Sequence, residues 1–230
     1  MSFRSRLACI FCLMLVLPVL PHAGGLKSPA SPAQTGPQTD GGSTEALEAL
    51  SQRLRPITSF EADFTQTVTS ADGYIVQEMT GHMMAARPGK IFWESDPPLV
   101  QQVISDGKTL WLYDPDLDQV TVRPFENDVS RTPAVVFIGG ADSLGDQYRV
   151  SVEQADNSTR FWLEPRSPSD LYEKIAIDFE GEQPVAMALW DSLGQVTRVV
   201  FSAMTLNGAL QGNPFTFTPP DGVDVLYDGQ

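Results

Sequence analysis

Short stretches in which apolar and polar residues alternate dominate this chain after its first quarter, and they constrain its fold most. Phe60, Ala62 and Phe64 alternate with polar residues in this way. Turn sequences such as Ala71-Asp72-Gly73 and Ser105-Asp106-Gly107 separate the stretches. Further strands are predicted at residues 103–104, 110–113, 120–123, 148–152, 160–163, 174–179, 185–190, 196–201 and 215–218. Many short strands in succession predict a mainly β domain, an antiparallel sheet that curls toward a barrel.

Two helices are expected beside this sheet. The first is predicted to begin at Ser43 or Thr44, which are suited to cap a helix, and to end at Pro56. Its apolar residues share one face at spacings of three or four: Leu47, Leu50, Leu54 and Ile57. The second is expected at residues 133–138, where Pro133 suits a first helical turn and the following residues are all apolar. An element that is apolar all round must be covered by another part of the protein.

The first 25 residues have the features of a signal peptide. Arg4 and Arg6 precede an apolar run at residues 7–20, and small residues follow at 23–25. An uncleaved membrane anchor is the alternative, although the run is short for a membrane span. Residues 26–42 are rich in Pro, Gly and Ser and predict a flexible leader, so the folded domain is expected at residues 43–230.

The composition of the mature chain excludes several classes of protein. Its two cysteines, Cys9 and Cys12, lie inside the predicted signal peptide, so no disulfide is expected in the mature domain. Loss of a segment that contains Arg4 and Arg6 changes the formal net charge from −14 to −16. So acidic a chain disfavours nucleic acid or an anionic membrane as a partner. The acidity either aids solubility or steers the protein toward a basic partner, and the sequence leaves both open.

Residues suited to catalysis or metal binding are scarce. His82 is the only histidine after the predicted signal peptide, and we expect it to be an ordinary strand residue. Asp114, Asp116 and Asp118 are spaced like the start of a calcium loop, but the diagnostic Gly and Glu of that loop are replaced by other residues, so a hairpin turn is the better interpretation. We expect no metal, no cofactor and no enzymatic activity. A hydrolase that uses a pair of carboxylates is a competing class, although no particular pair stands out.

One arginine is predicted to face an apolar interior. Counting by two along the chain places the following residues on one face: Met79, Gly81, Met83, Ala85, Arg87, Gly89, Ile91 and Trp93. A buried guanidinium needs acceptors, and backbone carbonyls at helix ends would supply them. The alternative is an exposed arginine at the end of a strand. The methionines of this region suit apolar ligands of varied shape, and they are equally ordinary core residues.

Several segments together resemble one family. Residues 87–93, Arg-Pro-Gly-Lys-Ile-Phe-Trp, and residues 103–115, which include Ser-Asp-Gly-Lys-Thr-Leu-Trp, are similar to segments of the outer-membrane lipoprotein carrier protein (LolA) family. Residues 60–66 and residues 215–223, Phe-Thr-Phe-Thr-Pro-Pro-Asp-Gly-Val, are similar to its other hallmarks. The segments occur in the family's order, and the resemblance covers roughly Glu45 to Val225. The leader at residues 26–42 departs from the family pattern.

This resemblance implies an incomplete, unclosed antiparallel β-barrel with its concave face covered by lid helices. It implies a monomeric periplasmic chaperone without a cofactor, which binds the acyl chains of lipoproteins in an apolar cavity. The expected partners are acylated lipoproteins, an inner-membrane lipoprotein-releasing ABC transporter and an outer-membrane receptor lipoprotein. Arg87 would be the latch of the lid. The expected ligand-binding residues are Leu50, Leu54, Met83, Ile91, Trp93, Val135, Val136 and Phe137.

Other functions are compatible with the same architecture, because a fold does not fix a function. The main alternative is a periplasmic carrier or sensor of free lipid or glycolipid. A receptor of the same family would need its own lipidated cysteine after the signal peptide, and the mature sequence contains none.

Overall fold

The structure is a computed structural model, and it describes residues 40–125, 137, 144–167 and 172–228. The helices whose bounds fall within these described ranges are α1 (Asp40–Leu54) and the short α2 (Leu144–Gln147), with a 3-10 turn at Pro115–Leu117. The strands are β1 (Ser59–Thr69), β2 (Ile75–Ala86), β3 (Lys90–Ser95), β4 (Gln102–Asp106), β5 (Thr109–Asp114), β6 (Gln119–Pro124), β7 (Tyr148–Ala155), β8 (Ser158–Pro165), β9 (Lys174–Glu180), β10 (Gln183–Trp190), β11 (Val196–Leu206) and β12 (Asp224–Tyr227). The predicted signal peptide, and the leader up to residue 39, lie outside the described residues.

All twelve strands belong to one sheet in the order β12-β6-β5-β4-β3-β2-β1-β11-β10-β9-β8-β7. The two end strands, β12 and β7, do not pair with each other, so the sheet is unclosed. The prediction of a mainly β fold is therefore confirmed. The prediction of a wholly antiparallel sheet is wrong at one place, because β12 pairs with β6 in parallel. Within the described parts of the chain, no helix is both long and apolar enough to span a membrane.

Alternation of residue type gives the sheet an inward and an outward face. In β1, Phe60, Ala62 and Phe64 are buried, whereas Glu61 and Asp63 between them remain accessible. We call the face that contains these buried residues the inward face. It contributes most of the hydrophobic core, as the sequence pattern predicts for strands with one buried face.

Helix α1 covers part of the inward face. Ala46, Leu50 and Leu54 are almost completely buried and belong to the same core cluster as the strand residues. The helix begins at Asp40, so Ser43 and Thr44 lie inside it and the predicted start is wrong by about one turn. It ends at Leu54, two residues before Pro56, which has no backbone N–H to continue the helical hydrogen bonds.

The predicted strand at residues 215–218 is wrong. The structure has no strand there, and residues 208–223, here called the C-terminal segment, cross the outward face of the sheet. The Phe217 ring lies 5.3 Å from the ring of Tyr113 in β5, and Phe215 is buried close to Lys90 of β3. The chain then forms β12, a strand that was not predicted from the sequence. The two phenylalanines therefore anchor a covering segment rather than a sheet strand.

Candidate functional site

The apolar interior lies between α1 and the inward face of the sheet, and aromatic rings fill much of it. Phe64 of β1 stacks on Trp93 of β3 with their ring centroids 5.0 Å apart. Phe137 packs edge-to-face with Phe60 and with Phe201, with ring centroids 5.7 Å and 5.9 Å apart. Rings in such offset and edge-to-face arrangements add to the free energy gained from burial alone.

A glycine makes the stack between Phe64 and Trp93 possible. A Cβ atom at Gly81 would lie 2.1 Å from the carbonyl oxygen of Glu94 and 2.6 Å from Cζ of Phe64. Both distances are far below van der Waals contact. Gly81 therefore allows β2 and β3 to approach closely beneath the rings, which a larger residue would prevent.

The described members of the predicted ligand site lie together. Each of these six residues is buried, and all belong to one core cluster: Leu50, Leu54, Met83, Ile91, Trp93 and Phe137. Val135 and Val136 lie outside the described residues, as does the rest of the second predicted helix apart from Phe137. The contact of these side chains with a lipid stays a prediction.

Arg87 lies where β2 ends and faces the interior. Ala85 pairs with Ile91 and Met83 pairs with Trp93, so the turn between the strands keeps the inward residues on one face. The Nη2 atom of Arg87 donates hydrogen bonds to the carbonyl oxygen of Leu54 at 2.9 Å and to that of Phe137 at 3.4 Å. Leu54 is the last residue of α1. The guanidinium therefore joins the sheet to the end of this helix, and the role of Arg87 as a latch stays a prediction.

The connector between α1 and β1, residues 55–58, is held by one asparagine. The Asn207 Oδ1 atom accepts hydrogen bonds from the Thr58 backbone N–H at 2.8 Å and from the Thr58 hydroxyl at 2.9 Å. Its Nδ2 atom donates to the Pro56 carbonyl oxygen at 2.9 Å. Asn207 has a φ of 55°, a left-handed conformation that asparagine adopts more readily than most residues. The residue that follows β11 thus holds the connector between α1 and β1 in place.

A second arginine, which the sequence patterns above do not single out, meets the interior. Arg53 of α1 places its guanidinium carbon 5.4 Å from the ring centroid of Phe161 and 5.9 Å from that of Phe179. Both rings are completely buried on the inward face of β8 and β9. The signal was present, because Arg53 follows Leu50 by three residues and so borders the apolar stripe of the helix.

The outward face carries the charged groups. Arg160 and Arg198 both donate to the carboxylate of Asp178, at 2.6 Å for Nε of Arg160 and 3.0 Å for Nη2 of Arg198. Burial raises the pKa of Asp178, but the hydrogen bonds from these two arginines lower it by more, so the pKa lies below the ordinary aspartate value. Beside them, Lys174 lies over the rings of Trp162 and Trp190, 4.8 Å from each centroid.

His82 and Asp114, two polar residues considered in the sequence, have structural partners. His82 lies in β2 and contacts Asp63 at 2.9 Å and Glu61 at 3.3 Å on the outward face. Asp114 caps the 3-10 turn by accepting from the Leu117 N–H at 3.1 Å. In the described ranges of the chain, no three His, Cys, Asp or Glu side chains are grouped to hold a metal ion.

Comparison with known proteins identifies the family. The family model "Outer membrane lipoprotein carrier protein LolA" matches residues 55–218, which are more than half of the chain. This chain belongs to the outer-membrane lipoprotein carrier family. The resemblance found in the sequence is thus confirmed. The match covers β1 to β11, the connector and Arg87.

Curated relatives agree over most of their length. The outer-membrane lipoprotein carrier protein of Chromohalobacter salexigens is 41% identical over 193 residues, which are 84% of this chain and 92% of the relative. That of Hahella chejuensis is 39% identical over 79% of this chain and 88% of the relative. An uncharacterized conserved protein from Thermus thermophilus shares the fold, with a TM-score of 0.51 at 11% identity over 80% of this chain and 98% of its own. The family assignment supports lipoprotein transport as the function, and the family is one of carriers rather than enzymes.

Proposed function

We propose that this protein is a periplasmic chaperone that holds the acyl chains of lipoproteins in its apolar interior and carries them from the inner to the outer membrane. The observation that supports it most is the joint burial of Leu50, Leu54 and Phe137 against the inward face, where Arg87 donates a hydrogen bond to the carbonyl oxygen at the end of α1. Helix α1 acts as a lid, and the acyl chains take the space that its side chains fill in the closed form.

The energetics require such a carrier. Burial of a CH₂ group is worth about 0.8 kcal/mol, so an acyl chain of about sixteen carbons gains on the order of 12 kcal/mol on leaving water. A lipoprotein with several chains cannot cross an aqueous compartment unless another apolar surface covers them. The closed interior offers that surface once α1 moves away from it.

Release of the cargo requires that binding be weaker than the full transfer free energy of the acyl chains. A carrier that bound them with all of that free energy would not give them up. If the empty protein is stabilised by its closed lid, binding is weakened by the free energy needed to open it. The bonds from Arg87 to the carbonyl oxygens of Leu54 and Phe137 supply part of this free energy. Arg87 therefore acts as the latch.

The route implied by this function has two partners. An inner-membrane lipoprotein-releasing ABC transporter would load the carrier, and an outer-membrane receptor lipoprotein would accept the cargo. Secretion through a cleaved signal peptide would deliver the chain to the periplasm. The net charge of −16 that remains after loss of Arg4 and Arg6 supports recognition of basic surfaces on these partners and disfavours nucleic acid.

A release assay with spheroplasts tests the function. Mature protein that begins near Leu26 is added to spheroplasts, and the soluble fraction is probed for acylated lipoproteins bound to it. We expect lipoproteins in solution only when the protein is added. If none is released while the folded protein binds an apolar dye, a carrier or sensor of free lipid becomes the better assignment.

The Arg87→Leu variant tests the latch. We expect it to bind lipoprotein at least as well as the wild type but to deliver it to acceptor membranes about tenfold more slowly. The reason is that without the charge-assisted hydrogen bonds of Arg87 the closed protein is less stable, so less free energy is gained when the cargo leaves and the lid closes. Arg149→Leu, which removes an exposed arginine of β7, is the matched control and should deliver normally. Normal delivery by Arg87→Leu would contradict the latch.

A further inference from the structure

Arg53 lies at the edge of the side of α1 that packs on the sheet. It follows Ala46 by seven residues and Leu50 by three, so all three lie along the side of the helix that faces the sheet. Ala46 and Leu50 are buried in the core. The Arg53 guanidinium lies against the rings of Phe161 and Phe179, which are completely buried. A cation therefore stands at the boundary between the lid and the apolar interior.

This guanidinium is incompletely satisfied. Its Nη1 atom donates to the Ala49 carbonyl oxygen within the helix at 3.3 Å, which is a long hydrogen bond. Its Nε atom is buried, and no acceptor among the described residues bonds to it. The two rings offer attraction between the cation and their π faces but no hydrogen-bond acceptor with a lone pair. A buried donor without an acceptor costs free energy that a ligand with a suitable oxygen would recover.

Acyl chains that enter the interior would change these surroundings. Chains lying on the inward face would cover the rings of Phe161 and Phe179 and displace the guanidinium from them. Arg53 would then face hydrocarbon, which solvates a cation poorly. In an ester-linked lipid, each chain begins at a carbonyl oxygen, and such oxygens accept hydrogen bonds. They are the acceptors that necessarily accompany the chains into the protein.

We propose that Arg53 binds the ester carbonyl oxygens of the diacylglyceryl group of the cargo, and so selects ester-linked lipid over any apolar chain of the same length. This rests on the proposed carrier function and deepens it. In the closed protein, Arg87 ties the sheet to Leu54, the last residue of α1. In the loaded protein, Arg53, the residue before Leu54, would form its main contact with the lipid. The end of α1 thus takes part in both states.

Two synthetic lipopeptides test the proposal. Both carry an S-glyceryl cysteine with two chains of equal length, linked by esters in one and by ethers in the other. Their affinities are measured by displacement of an apolar dye from the full mature protein. The wild type should bind the ester form about tenfold more tightly, the change expected for loss of one charge-assisted hydrogen bond. Equal affinities in the wild type would overturn the assignment of Arg53 without any variant being made.

Arg53→Met assigns the preference to this residue. Methionine keeps an unbranched apolar side chain against the rings but has no donor. It should bind the ester and ether forms equally, and its affinity for the ether form should be close to that of the wild type. Arg55→Met is the matched control, because Arg55 lies two residues away and contacts Glu48 at the surface at 3.6 Å. Arg55→Met should keep the tenfold preference. Retention of that preference by Arg53→Met would overturn the proposal.

The same measurements separate this proposal from the carrier function. If the wild type binds neither lipopeptide, the carrier function fails and the role of Arg53 fails with it. If it binds both equally, only the role of Arg53 fails. A second pair of ligands, diacylglycerol and its dialkyl ether, lacks the peptide and shows whether the natural ligand is a lipoprotein or a free lipid. Preference for the ester over the ether, both among the lipopeptides and among the free lipids, supports the role of Arg53. Tighter binding of the ester lipopeptide than of diacylglycerol identifies lipoprotein as the natural ligand.

Discussion

Two segments cover the same sheet on opposite faces, and they are attached in different ways. On the inward face, α1 packs through Ala46, Leu50 and Leu54, and Arg87 reaches the carbonyl oxygen at its end. On the outward face, the C-terminal segment is anchored by Phe215 and then becomes β12, whose residues pair along β6. The first covering is a helix joined to the sheet by side chains, and the second ends as a strand of that sheet.

This difference separates a covering that side chains hold from one that backbone hydrogen bonds hold. Displacement of β12 would break a series of backbone hydrogen bonds with β6, whereas displacement of α1 leaves the hydrogen bonds within the helix intact. In the lid role proposed above, helix α1 would move as a unit about its connector. The elements that move in function are drawn from the less stable parts of a structure, and the attachment of α1 is of that kind.

The largest effect is expected from loss of the outward anchor. Phe215→Ala should lower the free energy of unfolding by about 3 kcal/mol, as is common for a buried phenylalanine replaced by alanine. It should leave the relative affinities for acyl ligands unchanged, because the ring lies on the other side of the sheet. Urea denaturation and dye displacement measure the two quantities. Tyr227→Ala, at an exposed residue of β12, is the control. A change in ligand preference with Phe215→Ala would contradict the conclusion that the C-terminal segment and α1 act independently on opposite faces of the sheet.

A smaller effect is expected at the connector. Asn207→Ala removes the hydrogen bonds to Thr58 and Pro56 and should lower the free energy of α1 opening by about 1 to 2 kcal/mol. Amide hydrogen exchange of α1 should then accelerate, while exchange in β9 follows global unfolding. Equal acceleration of exchange in α1 and in β9 would mean that the helix and the sheet open together. It would contradict the conclusion that α1 is attached less firmly than the C-terminal segment.

The smallest effect is expected on the outward face of β8 to β11. Because the pKa of Asp178 is lowered in the folded protein, its contribution is present above the ordinary aspartate pKa, near pH 4, and is lost as the pH falls below it. Asp178→Asn should lower stability by about 1 kcal/mol at pH 7, allowing for the partly exposed arginines. The difference should shrink toward pH 3, as followed by thermal denaturation against pH. A constant difference down to that pH would show that the ion pairs contribute little.

Local patterns predicted the inward half of this molecule well. Alternation identified β1, and counting from Met79 to Trp93 gave the correct face because the turn at residues 87–89 keeps the register of β2 and β3. That register also gave the inward direction of Arg87. The apolar stripe gave the buried face of α1. In each case the signal is a periodicity over neighbouring residues, and burial on one side of an element produces that periodicity.

The outward half depends on contacts between distant parts of the chain, which such patterns do not contain. Phe215-Thr216-Phe217-Thr218 alternates like a strand, but its rings pack on Tyr113 and beside Lys90 instead of entering the sheet. Strand β12 is mostly exposed and has no clear pattern, and its parallel partner lies about a hundred residues earlier. Arg53 was missed for another reason: a charged residue at the edge of an apolar stripe is normally assigned to solvent, and only the position of the two rings shows otherwise.

The inward position of Trp93 gives this protein an optical reporter of its own state. The other three tryptophans of the chain, Trp111, Trp162 and Trp190, lie in registers that point outward. Only Trp93 stacks on Phe64 in the interior. Acyl chains that carry bromine atoms would therefore quench one emission component of four, and the time course of that quenching would follow loading and unloading without any attached dye.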